Sequence, residues 1–265
     1  MTKVETEHSS GKGWLDAQTP PLSRIGLGTV AFGRTTGLKY KKPIVRPGDK
    51  ALLELLATAR KLGINLLDTA TAYGDSQVRL GALIADDPYW VVMTKVGERH
   101  AGGRSTYDFS RDALEADLER ARSELRRDTL DIVLLHSNGN DEPALMTGQA
   151  LETLKRAQST GVVRCIGASL KTTAGIEAAW AAEVDLLMLT LNKTEPELAP
   201  RIRESDARGI RVVIKKPLAS GTLTTDSLGW VASQPGVSSV IVGTLNPDHL
   251  RANVAAVNRA LSDAG

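Results

Sequence analysis

Four side chains that can hold or transfer a proton lie where apolar segments of the sequence end. Asp68 ends Leu-Leu-Asp, Lys95 ends Val-Met-Thr-Lys, His136 ends Leu-Leu-His, and Tyr73 follows Asp68 by five residues. A phenol has a pKa of about 10, and a nearby ammonium such as Lys95 lowers that value. Asp68 is the evident counterion of this lysine, and His136 can donate a hydrogen bond to a substrate oxygen. Together these groups suit protonation of a carbonyl that accepts hydride, and the hydride must come from a cofactor.

The segments that carry these residues belong to a repeating pattern. From residue 24 onward, short β-branched apolar runs alternate with longer amphipathic stretches, which predicts βα units and a parallel sheet. Strands are predicted at 25–30, 64–68, 90–95, 130–136, 163–169, 184–191, 210–215 and 237–243. Eight such strands indicate an α/β fold, the (β/α)8 TIM barrel, in a single domain.

The domain is predicted to span residues 23–265, after an exposed N-terminal lead-in at residues 1–22. Apolar residues at three- and four-residue steps predict helices within 52–62, 113–125 and 151–158, and a short seventh helix is expected within 222–235. The carboxyl ends of the strands in such a barrel share one face, where barrel enzymes place their active sites. The four proton-handling residues are therefore expected to meet there.

Each of the four residues alone has a purely structural alternative. Asp68 could cap a turn, Lys95 could form a surface pair, Tyr73 could pack, and His136 could bond to backbone. The combination favours function, because an aspartate and a lysine at the ends of consecutive buried strands would be costly to bury unless they pair.

The composition excludes several other classes of function. The net charge of +2 and the aromatic share of 4% give no reason to expect nucleic-acid binding. No apolar run approaches the roughly 18 residues that a membrane span needs, and the four histidines show no metal-ligand spacing. Cys165 is the single cysteine and is predicted in the core, so a cytoplasmic location is expected. The sequence does not indicate an oligomeric state.

The sequence also resembles a known family. The motif Asp-Thr-Ala-Thr-Ala-Tyr-Gly-Asp-Ser at 68–76, the strand-ending Lys95 and the Leu-Leu-His motif at His136 resemble the aldo-keto reductase superfamily. Similar stretches occur at 25–29, 161–169, 217–221 and 238–253, so the resemblance covers about residues 22–261. It implies a (β/α)8 fold, an extended NAD(P)H cofactor, and catalysis by Asp68, Tyr73, Lys95 and His136. NADPH is favoured, and NADH is the alternative.

The resemblance further implies a set of cofactor-binding residues. They are Thr29, Val30, Asp68, Ser169, Met188, Lys215, Lys216, Pro217, Leu218, Ser220, Gly221, Gly243, Thr244, Asn246, His249 and Asn253. Three positions depart from the usual pattern at the nicotinamide. Leu170 replaces an asparagine, Met188 replaces a glutamine, and Lys215 replaces a tyrosine that stacks on the ring.

Two details of this cofactor site have open alternatives. Alternation along the strand sends Lys215 and Lys216 to opposite sides, so one of them could contact the pyrophosphate or the nicotinamide amide, or both could be solvated. His249 could be a ligand or an exposed helical residue. A helix that begins near Asn246 could bind phosphate through its N-terminal N–H groups.

The substrate, a small carbonyl compound, is expected to meet Phe32, Tyr40, Tyr73 and His136, with loops at 98–109 and 138–148 around them. An open pocket that accepts varied aldehydes is the leading hypothesis. The alternatives are a regulatory or redox-sensor protein that binds NADP(H) with little turnover, and a sugar or alcohol dehydrogenase that works in the oxidative direction. A metal-dependent hydrolase is disfavoured because a ligand cluster is missing from the sequence.

Overall fold

The chain is described by a computed structural model in which residues 21–38, 44–141 and 149–263 are placed. Eight parallel strands close into a barrel, which confirms the predicted fold. Neighbouring strands around the barrel are, in order, β1 (Ile25–Gly28), β2 (Leu66–Asp68), β3 (Val91–Val96), β6 (Leu130–His136), β7 (Val163–Ser169), β8 (Leu186–Thr190), β9 (Arg211–Lys215) and β10 (Ser239–Val242). The last strand, β10, pairs with β1 in parallel register.

Helices alternate with these strands and cover the outside of the barrel. They are α1 (Val30–Gly33), α2 (Asp49–Lys61), α3 (Ser76–Ile84), α4 (Arg111–Leu125), α5 (Gln149–Ser159), α6 (Thr173–Ala181), α7 (Ala199–Ala207), α8 (Thr225–Ala232) and α9 (Pro247–Asp263). The helix α8 has eight residues, as expected for the short polar-ended segment. In the described residues no helix is both long and apolar enough to cross a membrane.

Side chains of alternate strand residues form two separate cores. One fills the barrel interior with Leu66, Val91, Met93, Ile132, Leu134, Cys165, Leu186, Met188, Val213 and Ile241. The larger core lies between the strands and the helices. This alternation is the period-two geometry of strands, and it places Cys165 in the interior, as predicted.

The structure corrects the prediction for residues 98–109, which were expected to form a loop. They contain an antiparallel hairpin of β4 (Glu98–Ala101) and β5 (Arg104–Tyr107). The hairpin turn is formed by Gly102 and Gly103, which have φ values of +56° and +78°. Two consecutive residues with positive φ are typical of the tight turn that fits the twist of a hairpin. This hairpin extends β3 past the barrel rim.

Candidate active site

A cleft of about 500 Å³ opens at the carboxyl ends of the strands. Asp68, Tyr73, Lys95 and His136 all line it. Asp68 ends β2, Lys95 is the second-last residue of β3, and His136 ends β6. Tyr73 lies in the connection between β2 and α3. The barrel therefore brings together the four residues that the sequence singles out.

Lys95 and Asp68 form a buried ion pair beneath Tyr73. The residues are 1% and 5% exposed, and the ammonium of Lys95 donates to Oδ1 of Asp68 and, at 2.8 Å, to the carbonyl oxygen of Thr69. Burial lowers the pKa of Lys95, but Asp68 and Tyr73 raise it, and the net effect is an increase. Lys95 is consequently charged at neutral pH.

The hydroxyl of Tyr73 lies 3.3 Å from Nζ of Lys95. The sequence predicts that this ammonium lowers the pKa of the phenol. Lys95 does lower it, but burial has the larger opposite effect and raises the pKa of Tyr73 to about 12. The prediction of a net decrease in this pKa is therefore wrong, and the phenol is protonated at neutral pH.

Two glycines fix the backbone beside Tyr73. Gly74 has a φ of +63°, and a Cβ atom there would lie 2.5 Å from the carbonyl oxygen of Gly33. A Cβ atom on Gly33 would in turn lie 2.5 Å from the carbonyl oxygen of Tyr73 and still closer to the amide nitrogen of Ser76. The end of α1 and the Tyr73 loop can approach this closely only because both residues lack side chains.

His136 faces Tyr73 on one side and Glu98 on the other. Its ring meets that of Tyr73 edge to face, with centroids 6.2 Å apart. Nδ1 of His136 lies 2.8 Å from Oε2 of Glu98, an ion-pair contact that is short but not a linear hydrogen bond. Burial lowers the pKa of His136, Glu98 raises it, Lys95 and Lys215 lower it, and the net effect is a decrease.

Lys215 projects from the end of β9 into the cleft. Its ammonium donates to Oγ of Ser169 over 2.7 Å. This bond crosses the strand β8, which lies between β7 and β9 and pairs with Ser169 through Met188. Burial and the nearby Lys171 and Lys216 lower the pKa of Lys215 to about 7. Lys216 is exposed at the rim. Lys215 thus supplies a hydrogen-bond donor near Leu170 and Met188, the two positions at which the family pattern has an asparagine and a glutamine.

The segment that follows β9 has an unusual backbone. Lys216, Ala219, Ser220 and Gly221 have φ values of +55°, +45°, +60° and +89°. Positive φ at non-glycine residues costs of order 1 kcal/mol each and tends to occur at functional sites. This segment lines the cleft together with Gly28, Gly243 and the buried Asn253 of α9. Glycines, lysines and backbone of positive φ thus occur together on this side of the cleft, where an anionic group could be held.

Most of the residues predicted to bind cofactor line the cleft. They are Val30, Asp68, Ser169, Met188, Lys215, Lys216, Pro217, Leu218, Ser220, Gly221, Gly243 and Asn253. Thr244, Asn246 and His249 instead lie outside the cleft at the start of α9, partly or fully exposed. Thr29 is buried, and its hydroxyl donates to the carbonyl oxygen of Asp68 and contacts Ser76. The Thr29 side chain therefore joins the segments that carry Asp68 and Ser76, and it does not line the cleft.

The predicted substrate contact of Phe32 needs correction. Its ring is 0% exposed and packs in the core between barrel and helices, because the short helix α1 turns it inward. Tyr40 lies outside the described residues. Glu98, Ser105 and Tyr107 line the cleft, as expected for the segment 98–109, although none of them was named as a site residue. Arg34 and Lys171 also line it, and the sequence did not indicate them. The signal available for Glu98 was its position three residues after Lys95, at the start of the segment that contains the Gly102-Gly103 pair.

Comparison with known proteins agrees with this geometry. The profile of the Aldo/keto reductase family matches residues 24–229. The NADH-specific methylglyoxal reductase of Escherichia coli is 27% identical, with 92% of each chain covered. The 6-dehydroglucose reductase of Novosphingobium aromaticivorans is 27% identical, over 74% of this chain and 70% of that one.

Solved structures give the same result. A crystal structure from Pseudomonas aeruginosa, of a protein assigned to the aldo-keto reductases, has a TM-score of 0.83 and 39% identity over 92% of this chain and 93% of that one. The glycerol dehydrogenase of Gluconobacter oxydans has a TM-score of 0.75 at 20% identity, over 92% of both chains, and supports the fold alone. The chain therefore belongs to the aldo-keto reductase family and is an oxidoreductase that acts on carbonyl compounds.

Proposed function

We propose that this enzyme reduces small aldehydes and ketones to alcohols with NAD(P)H, and that Tyr73 donates the proton. The feature that supports this most directly is the partly buried phenol of Tyr73, whose pKa is raised to about 12 by burial. It lies 3.3 Å from the ammonium of Lys95, which Asp68 holds in place, in a cleft also lined by His136. The cofactor, when bound, supplies the hydride that the carbonyl carbon accepts.

The chain's own groups then handle the proton. As the carbonyl oxygen gains negative charge, the hydroxyl of Tyr73 transfers its proton to that oxygen. Lys95 stabilises the phenolate that remains, because its ammonium already contacts the phenol oxygen. Asp68 keeps Lys95 charged and oriented, and His136, whose ring meets that of Tyr73 edge to face, lines the same cleft.

We assign cofactor binding to the strip of the cleft between Ser169 and Asn253. Lys215 donates to the nicotinamide amide in place of the missing asparagine and glutamine, with Ser169 beside it. The segment 217–221 and Lys216 would face the pyrophosphate, since the charge of the exposed Lys216 favours an anion there. Thr244, Asn246 and His249 at the start of α9 bind the adenosine end at the rim.

The rim residues favour NADH at least as much as NADPH, contrary to the expectation from the sequence. At position 243 a glycine offers no cationic side chain that could pair with a 2′-phosphate. Arg251 pairs with Asp248 in the first turn of α9, and the Asp248 carboxylate repels a further phosphate at that helix N-terminus. The E. coli relative named NADH-specific is in keeping with this proposal.

Steady-state reduction rates provide the test. The purified protein is assayed with NADH and with NADPH against a panel of aliphatic, aromatic, dicarbonyl and sugar aldehydes. We expect turnover of several small aldehydes and a kcat/KM with NADH equal to or above that with NADPH. A preference for NADPH above about tenfold would contradict the cofactor proposal, and strong selectivity for one aldehyde would contradict the open pocket.

The variant Tyr73→Phe tests the proton donor. A positioned general acid contributes about 10² to 10⁴ in rate, so kcat should fall at least a hundredfold while the Kd for NADH stays within about twofold. Tyr89→Phe is the matched control, since Tyr89 bonds to the carbonyl oxygen of Arg60 away from the cleft. Full activity of Tyr73→Phe would refute the mechanism. Tight cofactor binding by the unaltered protein without turnover of any substrate would favour the sensor function instead.

A further inference from the structure

The contact between His136 and Glu98 joins two parts of the fold that are separate in sequence. His136 ends β6 in the barrel, whereas Glu98 begins the hairpin strand β4 above the rim. Their side chains are 17% and 7% exposed, and Nδ1 of the imidazole lies 2.8 Å from Oε2 of the carboxylate. Nδ1 of the imidazole therefore lies against an acidic side chain.

Glu98 is held as a carboxylate by its surroundings. Burial alone would raise the pKa of Glu98, but the contacts with His136, Ser105 and Arg34 outweigh it and lower the pKa to about 2. Ser105 donates its hydroxyl to Oε1 over 2.5 Å, and Nη1 of Arg34 lies 3.9 Å away. A carboxylate in this state can only accept hydrogen bonds.

This arrangement decides where the imidazole keeps its proton. A neutral imidazole carries one N–H and one bare nitrogen, and the partner of each nitrogen sets the tautomer. A bare Nδ1 beside the Glu98 carboxylate would oppose lone pairs on both atoms, so the carboxylate favours the tautomer that carries its proton on Nδ1. Nε2 of neutral His136 is then bare, and it can donate to a carbonyl oxygen only when the ring is an imidazolium.

The charged and titratable groups around His136 come from several elements. Glu98 of β4 favours the imidazolium, whereas burial, Lys95 of β3 and Lys215 of β9 oppose it. Tyr73 meets the ring edge to face without charge, and Arg34, after α1, lies behind Glu98. Among these influences Glu98 is the one that raises the pKa of the imidazole, so removal of its charge leaves burial, Lys95 and Lys215 in opposition.

We propose that Glu98 is a positioning residue that keeps the His136 proton on Nδ1, so that Nε2 gains its proton only in the imidazolium that assists carbonyl reduction. This inference rests on the proposed reduction and deepens it. The rate of reduction then follows the protonation of His136, and Glu98 sets the pH at which that protonation occurs.

Nitrogen NMR of the imidazoles tests the tautomer without any turnover. The chain has only four histidines, and His136→Asn assigns the His136 signals. In the unaltered protein above its midpoint, we expect protonated Nδ1 and bare Nε2. The opposite tautomer would overturn the proposal. This readout stands even if the protein reduces no carbonyl, so failure of the proposed function is recognised separately by the absence of turnover.

The variant Glu98→Gln tests the role of the charge. We expect the midpoint of His136, by NMR, and that of reductive kcat, at saturating NADH, to fall together by about one pH unit. The rate would then drop about tenfold at pH values above both midpoints and recover in more acidic buffer. Glu115→Gln, at an exposed glutamate, is the control and should move neither midpoint. A loss of rate at every pH with unmoved midpoints would mean a merely structural role and refute the proposal.

Discussion

Lys215 is a residue whose chemistry differs from that of the tyrosine it replaces in the family pattern. A tyrosine there offers a flat apolar face, whereas Lys215 offers an ammonium bonded to Ser169. With its pKa lowered to about 7, this donor is charged in mildly acidic solution and mostly neutral in mildly basic solution. Cofactor affinity should therefore depend on pH if Lys215 contacts the nicotinamide amide.

We predict that the Kd for NADH rises about tenfold between pH 6 and pH 8.5, because a charged donor contributes roughly 1 to 2 kcal/mol more than a neutral one. Fluorescence titration measures this directly. Lys215→Met should bind weakly with little dependence on pH, whereas Lys155→Met, at an exposed position of α5, should keep the dependence. A pH-independent Kd in the unaltered protein would contradict the assignment.

Site residues could be predicted from the sequence when a residue type suited to proton transfer stood at the predicted end of a strand. Asp68 and His136 end strands and Lys95 is one residue from the end of β3, so their convergence followed from the fold alone. Phe32 was misplaced because an aromatic residue after a strand can turn either way, and only the short helix α1 decides. The net pKa of Tyr73 could not be predicted, since the burial that dominates it depends on packing from distant parts of the chain.

At the scale of elements, the contact between α1 and the Tyr73 loop is a place where backbone geometry controls chemistry. Gly33→Ala puts a methyl group against the carbonyl of Tyr73 and the amide of Ser76, and relief of this clash must move the loop. We predict a loss of about 2 to 3 kcal/mol in unfolding free energy and at least a tenfold decrease in kcat.

Gly48→Ala is the matched control for this substitution. A Cβ atom on Gly48, just before α2, would meet nothing within 4 Å, so the expected cost is below about 1 kcal/mol. Urea denaturation and steady-state kinetics give the two quantities. Equal effects of the two substitutions would mean that the close approach of Gly33 to Gly74 does not position Tyr73.

The barrel strands were predictable as elements because buried parallel strands read as short apolar runs. The hairpin was not, because β4 and β5 lack an alternating apolar pattern. Gly102 and Gly103 were its only clear signal, and a Gly-Gly pair is also common in loops. Glu98 was missed for the same reason, since its role depends on the hairpin that carries it.

For the whole molecule, closure of the barrel depends on the junction of β1 and β10. Arg24, just before β1, donates to the carbonyl oxygens of Ala232, Val237 and Ser238. Its partly buried guanidinium thus joins the first strand to the end of α8 and to the approach to β10. This junction lies at the end of the barrel opposite the cleft.

Arg24→Met should therefore decrease the free energy of unfolding by about 2 to 3 kcal/mol, because it leaves buried carbonyl groups without donors. The kcat of the folded protein should not change. Arg120→Met removes an exposed pair with Glu124 and should cost about 0.5 kcal/mol. Thermal and urea unfolding distinguish the two. An Arg24 variant as stable as the Arg120 variant would show that β1 and β10 hold together without this side chain.

The position of Cys165 has a practical consequence. It is the only cysteine of the chain, it points into the barrel interior, and burial raises its pKa to about 12. Since the thiolate is the species that reacts, the native protein offers labelling reagents almost nothing to modify. If one cysteine is introduced on the hairpin and another on the rim after β9, labelling reagents would thus attach probes at these two sites and not at Cys165. The distance between the two sides of the cleft could then be followed in solution as cofactor and substrate bind.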